Sequence, residues 1–168
     1  DITVVSNAVR PPMGIEGKEH ITVSQKLYYN PNPNLSVLVY GSSFFMNTYD
    51  LIQDMTFSQA RDWTAGTKVT YHVKDWFSVT GSLHADFYDR FKRHERIDKR
   101  QKDYESSIYQ PRLTVTSNYF NGHSLILGME HTSDELTSDR FSGNANHDLK
   151  TRALKETEYF LQDEWTIN

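Results

Sequence analysis

The 168-residue sequence predicts an all-β fold, an antiparallel meander of about seven strands in one domain spanning 1–168. Three observations lead there. Residues 77–88, FSVTGSLHADFY, alternate without a break: Phe77, Val79, Gly81, Leu83, Ala85 and Phe87 against Ser78, Thr80, Ser82, His84, Asp86 and Tyr88. Successive strand side chains point to opposite faces, so this is one long strand with an apolar and a polar face. Similar stretches recur along the chain, punctuated by Pro, Asn, Asp and Gly. The connections between them alternate between short and long polar, as they do when every second link of a meander lies at the same end of the sheet.

The elements follow in order. Residues 21–30 set Ile21, Val23, Leu27 and Tyr29 against Thr22, Ser24, Lys26 and Tyr28, and NPNPN then signals a turn. Residues 35–45 carry Leu35, Val37 and Val39 on one face, and residues 64–73 carry Val69, Tyr71 and Val73. The strand 77–88 follows the short turn KDW, and the strands 112–119, 123–136 and 155–168 complete the set. Short links are expected at 30–34, 74–76 and 120–122, and long polar loops at 46–63, 89–109 and 137–153.

Hairpin register is consistent with those turns, because apolar residues face each other across each one. A turn at 74–76 pairs Val73 with Phe77, Tyr71 with Val79 and Val69 with Gly81. The turn FNG pairs Tyr119 with His123, Ser117 with Leu125, Val115 with Leu127 and Leu113 with Met129. A five-residue turn at 30–34 pairs Tyr29 with Leu35 and Leu27 with Val37.

Two architectures suit long two-faced strands. A soluble lipocalin-like barrel turns the apolar face inward; a transmembrane barrel turns it to lipid and lines its lumen with the polar face. Three details favour lipid. The rows reach the roughly 9–11 residues that a tilted spanning strand needs. Aromatics gather near the short-turn end, at Tyr28, Tyr29, Trp76, Phe77, Tyr119, Phe120 and Trp165. Short turns at one end and long loops at the other are the asymmetry of bacterial outer-membrane barrels. Gln25 and Asp163 run against this reading, since both fall on apolar rows. The chain is thus expected to form part of a transmembrane β-barrel wall, with Val69, Tyr71, Val73, Phe77, Val79, Leu83, Phe87, Val115, Leu125 and Leu127 facing lipid.

Composition narrows the function. A net charge of −4 makes no general case for nucleic acid. The absence of cysteine removes disulfides, zinc–thiolate sites and thiol nucleophiles together. No apolar run approaches the roughly eighteen residues of a spanning helix. The opening DITVVSNAVRPP lacks Met and the basic start and apolar centre of a signal peptide, so a mature or trimmed chain is expected. Ser82 and His84 share a face, as do Ser124 and Glu130, but no nucleophile–base–orienter set, phosphate loop or paired glycosidase carboxylates stand out. No enzyme, metal or cofactor is expected.

Two groups are candidates for ligand contact. His84, Asp86, Tyr88 and Arg90 lie on the polar face at spacing two. The basic stretch RFKRHERIDKRQK adds Arg93, His94 and Arg96, cations suited to lipopolysaccharide phosphates or an anionic ligand; interleaved Glu95, Asp98 and Asp103 and the lack of an aromatic platform speak against nucleic acid.

The stretch GHSLILGMEHTSDELTSDRF followed by TEYFLQDEWTIN resembles a segment of TonB-dependent outer-membrane receptors, most closely the colicin- and haem-receptor type. The matching positions are His123, Leu125, Gly128, Glu130, Asp139 and Arg140, then Phe160, Gln162, Asp163, Glu164 and Trp165. GKEHITVSQKLYYNPNPNLSVLVYGSSFF looks like the mid-barrel hairpins of the same family. The resemblance implies an internal piece of a twenty-two-stranded barrel, without plug domain or TonB box, in a bacterial outer membrane. It implies uptake of a scarce ligand such as a siderophore–iron complex, haem or cobalamin. Expected partners are outer-membrane lipid and lipopolysaccharide, TonB through the missing plug, and a surface lipoprotein. NPNL (32–35) is similar to a tetrapeptide of the haem receptors, although VRPP (9–12) does not match its companion FRAP. Two other readings stay open: a complete eight-stranded outer-membrane barrel with a structural or adhesion role, DITVVSNAVR supplying the extra strand, and a soluble lipocalin-like or carbohydrate-binding domain.

Overall fold

The computed structural model describes residues 2–9, 16–50, 56–94, 99–118, 122–138 and 150–165. They form one antiparallel sheet of eight strands in chain order: β1 (Ile2–Val9), β2 (Glu16–Asn32), β3 (Leu35–Asp50), β4 (Thr56–Lys74), β5 (Phe77–His94), β6 (Lys99–Ser117), β7 (His123–Ser138) and β8 (Lys150–Trp165). The meander is as expected, with one strand more than seven. β1 is that strand, and it pairs with β2 from Ile2↔Gln25 to Val9↔Lys18. β1 and β8 are the two edges, and no pairing between them is found among the described residues.

The strands are longer and the links shorter than the alternation predicts. β5 and β6 run 18 and 19 residues, so most of the charged stretch 89–109 is ladder rather than loop. Apolar alternation fades there because cross-strand charge replaces it. Lys102 Nζ reaches across to the Asp89 carboxylate of β5 at 2.9 Å and along its own strand to the Glu105 carboxylate at 2.7 Å. Opposite charges across a ladder support pairing as apolar pairs do. Residues 51–55, 95–98 and 139–149 lie outside the described residues.

Register follows expectation across the β6–β7 hairpin: Ser117↔Leu125, Val115↔Leu127 and Leu113↔Met129. Tyr119 is outside the described residues. At the β4–β5 turn, Tyr71↔Val79 and Val69↔Gly81 hold, but a register shift places Lys74, not Val73, opposite Phe77. At the β2–β3 turn the expected register is off by two. Tyr29 faces Val37 and Leu27 faces Val39, because β2 continues through Asn32 and only Pro33 and Asn34 turn. The Asn34 amide donates to Asn32 Oδ1 at 3.0 Å, a local bond that closes the tighter turn. A slip of two keeps every side chain on its own face.

The two faces are distinct. Cross-strand pairs link one row through Gln25, Gly41, Ala65, Ala85, Tyr109, Ser133 and Lys155, and the odd-numbered residues of β2–β5 lie on the same side as that row. This side is apolar, and it is the exposed side: Tyr71 is 49 % exposed, Leu83 44 %, Phe87 41 % and Leu127 55 %. On the opposite side His84, Asp86, Tyr88 and Arg90 are only half-buried. Among the described residues Ala60 is the one buried hydrophobic side chain, so no apolar core covers the sheet.

The apolar stretch also drifts across the sheet. It is centred on Gln25 in β2 (Ile21–Tyr29), on Ser82 in β5 (Phe77–Phe87) and on Gln162 in β8 (Tyr159–Trp165). The cross-strand row from Gln25 meets β5 at Ala85 and β8 at Lys155, so the centres have moved three and seven residues toward the short-turn end. Seven residues at about 3.4 Å against six strand steps at about 4.8 Å slant the band by roughly 40° from the perpendicular to the strands.

Candidate functional site on the polar face

The polar face is built from cross-strand rows. One of them runs Tyr40, Gly66, His84, Gln110 across β3–β6. Gly66 has no side chain, so the Tyr40 ring lies over it; a Cβ there would overlap the ring. That path brings the Tyr40 hydroxyl within 3.0 Å of His84 Nδ1, with the rings stacked at 6.2 Å. Gly128 repeats the device. The Phe160 ring covers it, and the Arg112 guanidinium stands 4.7 Å from that ring's centre. Rings laid over strand glycines restore the packing and stiffness that glycine lacks.

Farther from the short turns, Tyr88 and Tyr104 meet edge-to-face at 5.4 Å. They line a hollow of about 450 Å³ together with Asp86, Arg90, Ser106 and Ile108. One wall is fixed by a bulge. Arg90 pairs with Tyr104 but Phe91 pairs with Lys102, so Asp103 is the extra residue. A bulge re-aims a side chain, and here it brings the Asp103 carboxylate to the Arg90 side of the sheet. Arg90 donates to it from Nε at 3.2 and 3.3 Å and from NH2 at 2.8 Å. Lys92 Nζ approaches at 3.3 Å, and Ser138 Oγ donates to the Asp103 carbonyl at 3.2 Å. Asp103 is 4 % exposed. Burial pushes its carboxyl pKa up, but the bonds and charge of Arg90, with Lys92 behind, outweigh burial and hold it below the ordinary carboxylate range.

The hollow is therefore an aromatic corner with one carboxylate, Asp86, and one guanidinium already committed to Asp103. Such a wall has ring faces and acceptor oxygens of the kind that fix a hydrogen-bonding ligand. Among the described residues no three His, Asp or Glu side chains gather as a metal cluster. Compared with known proteins, the chain matches no family model, no curated protein and no solved structure.

Of the expected contact residues, Asp86, Tyr88 and Arg90 line the hollow, while His84 is bonded to Tyr40. Arg93 and His94 belong to β5, but their side chains, and the whole of Arg96, lie outside the described residues. The expected lipid-facing residues share the exposed face: Val69, Tyr71, Val73, Leu83, Phe87, Leu125 and Leu127 are exposed, and Phe77, Val79 and Val115 half-buried. Tyr40, Tyr104, Asp103 and Phe160 were not legible as site residues. The isolated strand glycines Gly66 and Gly128 were the available signal for the rings, since such a glycine often marks a close approach.

Proposed function

We propose that the chain is part of the wall of a bacterial outer-membrane β-barrel, with the odd-numbered face of β2–β5 toward lipid and the tyrosine-lined face toward an aqueous lumen. The observation that carries this reading is the exposed apolar band and its slant of roughly 40°, which falls in the tilt range of strands in such barrels. Strands tilted through a flat slab keep their apolar parts level with the slab, and the band must then cross the register diagonally.

Both borders of the band support the reading. Toward the short turns stand Tyr29, Tyr71, Trp76 and Trp165, and toward the other end Phe45, Trp63, Phe87 and Tyr109. Trp63 and Tyr71 are eight residues apart on β4, and Phe87 and Phe77 ten apart on β5. Those spans are about 27 and 34 Å of strand, or roughly 20 and 26 Å of height at a 40° tilt, close to the ~25 Å apolar band between aromatic girdles. Beyond the second girdle the same face turns charged, with Asp89, Lys102 and Glu105 joined by ion pairs. Asp163, against the band in sequence, is at its short-turn border and bonded to His123 Nδ1 at 3.0 and 3.2 Å.

Within this reading the likeness of the β7–β8 hairpin to TonB-dependent receptors makes the chain a segment of a ligand-uptake barrel, whose lumen wall includes the Tyr88–Tyr104 hollow. The ligand class is that of the receptors: a siderophore–iron complex, haem, cobalamin or a similar scarce nutrient. A complete eight-stranded barrel is the second reading, favoured by the count of eight strands. Fractionation and native mass test both. The protein is expected in the carbonate-washed outer-membrane fraction as a species several times 19.6 kDa. A folded, detergent-free monomer in buffer contradicts the membrane reading, and a membrane species of 19.6 kDa favours the eight-stranded barrel.

A further inference from the structure

One amide side chain of the apolar band has no hydrogen-bond partner among the described residues. It belongs to Gln25, exposed at the centre of the β2 apolar stretch. Asp163, the other exception, is bonded to His123 at the border of the band. Gln25 has no such border near it, since Ile21 and Tyr29 lie four residues away on either side.

Gln25 is also at a hollow of about 640 Å³, whose rims are Val23, Trp63 and Phe87 on one side and Leu27 and Val39 on the other. The hollow exists because the row between those rims holds no bulky group past Gln25: its partners in register are Gly41, Ala65 and Ala85.

We propose that this hollow is the contact between two copies of this chain in the membrane, joined about a two-fold axis by a reciprocal pair of Gln25 amides. The proposal rests on the reading of this face as lipid-facing. An acyl chain would fill the volume but leave the amide unsatisfied in hydrocarbon, which is costly. A second copy satisfies it, because a carboxamide carries both donor and acceptor, and a two-fold axis sets each against its complement. Close approach of backbones over small residues, with a polar side chain as the joint, is how spanning helices associate when lipid removes the ordinary hydrophobic drive, and the row at Gln25 has the same two features.

The chain has no cysteine, so one substitution gives a single reporter thiol. Gln25→Cys and Leu127→Cys are made separately in the full-length protein and oxidised with copper phenanthroline in native outer membranes. A disulfide-linked dimer is expected for Gln25→Cys and not for Leu127→Cys, which is on the same face but on β7, two strands beyond the hollow's last strand, β5. In mild detergent, Gln25→Leu should weaken dimerisation about tenfold, the scale of one or two intramembrane hydrogen bonds, and Gln25→Asn should restore part of it. The proposal is overturned if the thiol at 25 forms no dimer, links to another polypeptide, or links no better than the thiol at 127, or if Gln25→Leu dimerises as well as the parent. Carbonate washing of the same membranes separates the cases. Retention in the pellet without a dimer sinks the dimer alone, and release from the pellet sinks the lipid-facing reading with it.

Discussion

The Tyr40 hydroxyl meets His84 Nδ1 at 3.0 Å across a strand that lies between them, and the residue it passes over is Gly66. The bond joins β3 to β5 over the top of β4. It shows how the polar face is stiffened: bare backbone on one strand lets a ring from its neighbour lie flat.

Filling that gap should therefore cost stability. Gly66→Ala forces the Tyr40 ring off its seat, and Gly128→Ala does the same to Phe160. Each is expected to destabilise by about 1 kcal/mol, the low end of the cost of overpacking, because the atoms met are the far ends of rings that can swing aside. Gly81→Ala meets nothing within 4 Å and should stay within about 0.5 kcal/mol of the parent. Urea unfolding of the three variants in lipid vesicles checks the contrast.

The Arg90–Asp103 pair gives a pH signature outside the apolar band. Its carboxyl pKa is lowered in the fold. The stability it contributes is complete above the unfolded value of about 3.9 and fades as pH falls through the lower native value. Asp103→Asn should cost about 1–2 kcal/mol at neutral pH, since Arg90 and Lys92 keep some access to water. The same variant should lose less stability than the parent on acidification below about pH 4, which unfolding titrations measure.

Adjacent residues on opposite faces should respond unequally to charge. Leu83 is on the exposed apolar face and Ser82 on the polar face. Leu83→Arg is expected to destabilise by about 2–4 kcal/mol in a bilayer, and Ser82→Arg by no more than about 1 kcal/mol. Equal effects of the two in denaturant unfolding would count against a lipid boundary at Leu83.

Much of this architecture was legible in the sequence, for an identifiable reason. Where one face is uniformly apolar, alternation fixes which residues share a side, and Val69, Leu83 and Leu127 fall together accordingly. It does not fix strand length. β5 and β6 continue through 89–94 and 99–108 on charge pairs and backbone bonds, and a charged strand and a charged loop share the same composition. The register at Asn32 was missed by two because parity is blind to even slips. The bulge at Asp103 was missed because one inserted residue leaves the composition unchanged. The second girdle was missed because Phe45, Trp63, Phe87 and Tyr109 come from four strands and line up only once the registers are known.

A cysteine scan through 78–88, one substitution at a time in the cysteine-free chain, tests the orientation of the sheet most directly. The account predicts a period of two in native membranes: thiols at Ser78, Thr80, Ser82, His84 and Asp86 react with a charged aqueous maleimide, those at Val79, Leu83, Ala85 and Phe87 are shielded from it, and those at Val79 and Leu83 are reached by a lipid-soluble probe. Aqueous labelling of Val79, Leu83 and Phe87 as fast as of their neighbours, or the reverse period, would contradict it.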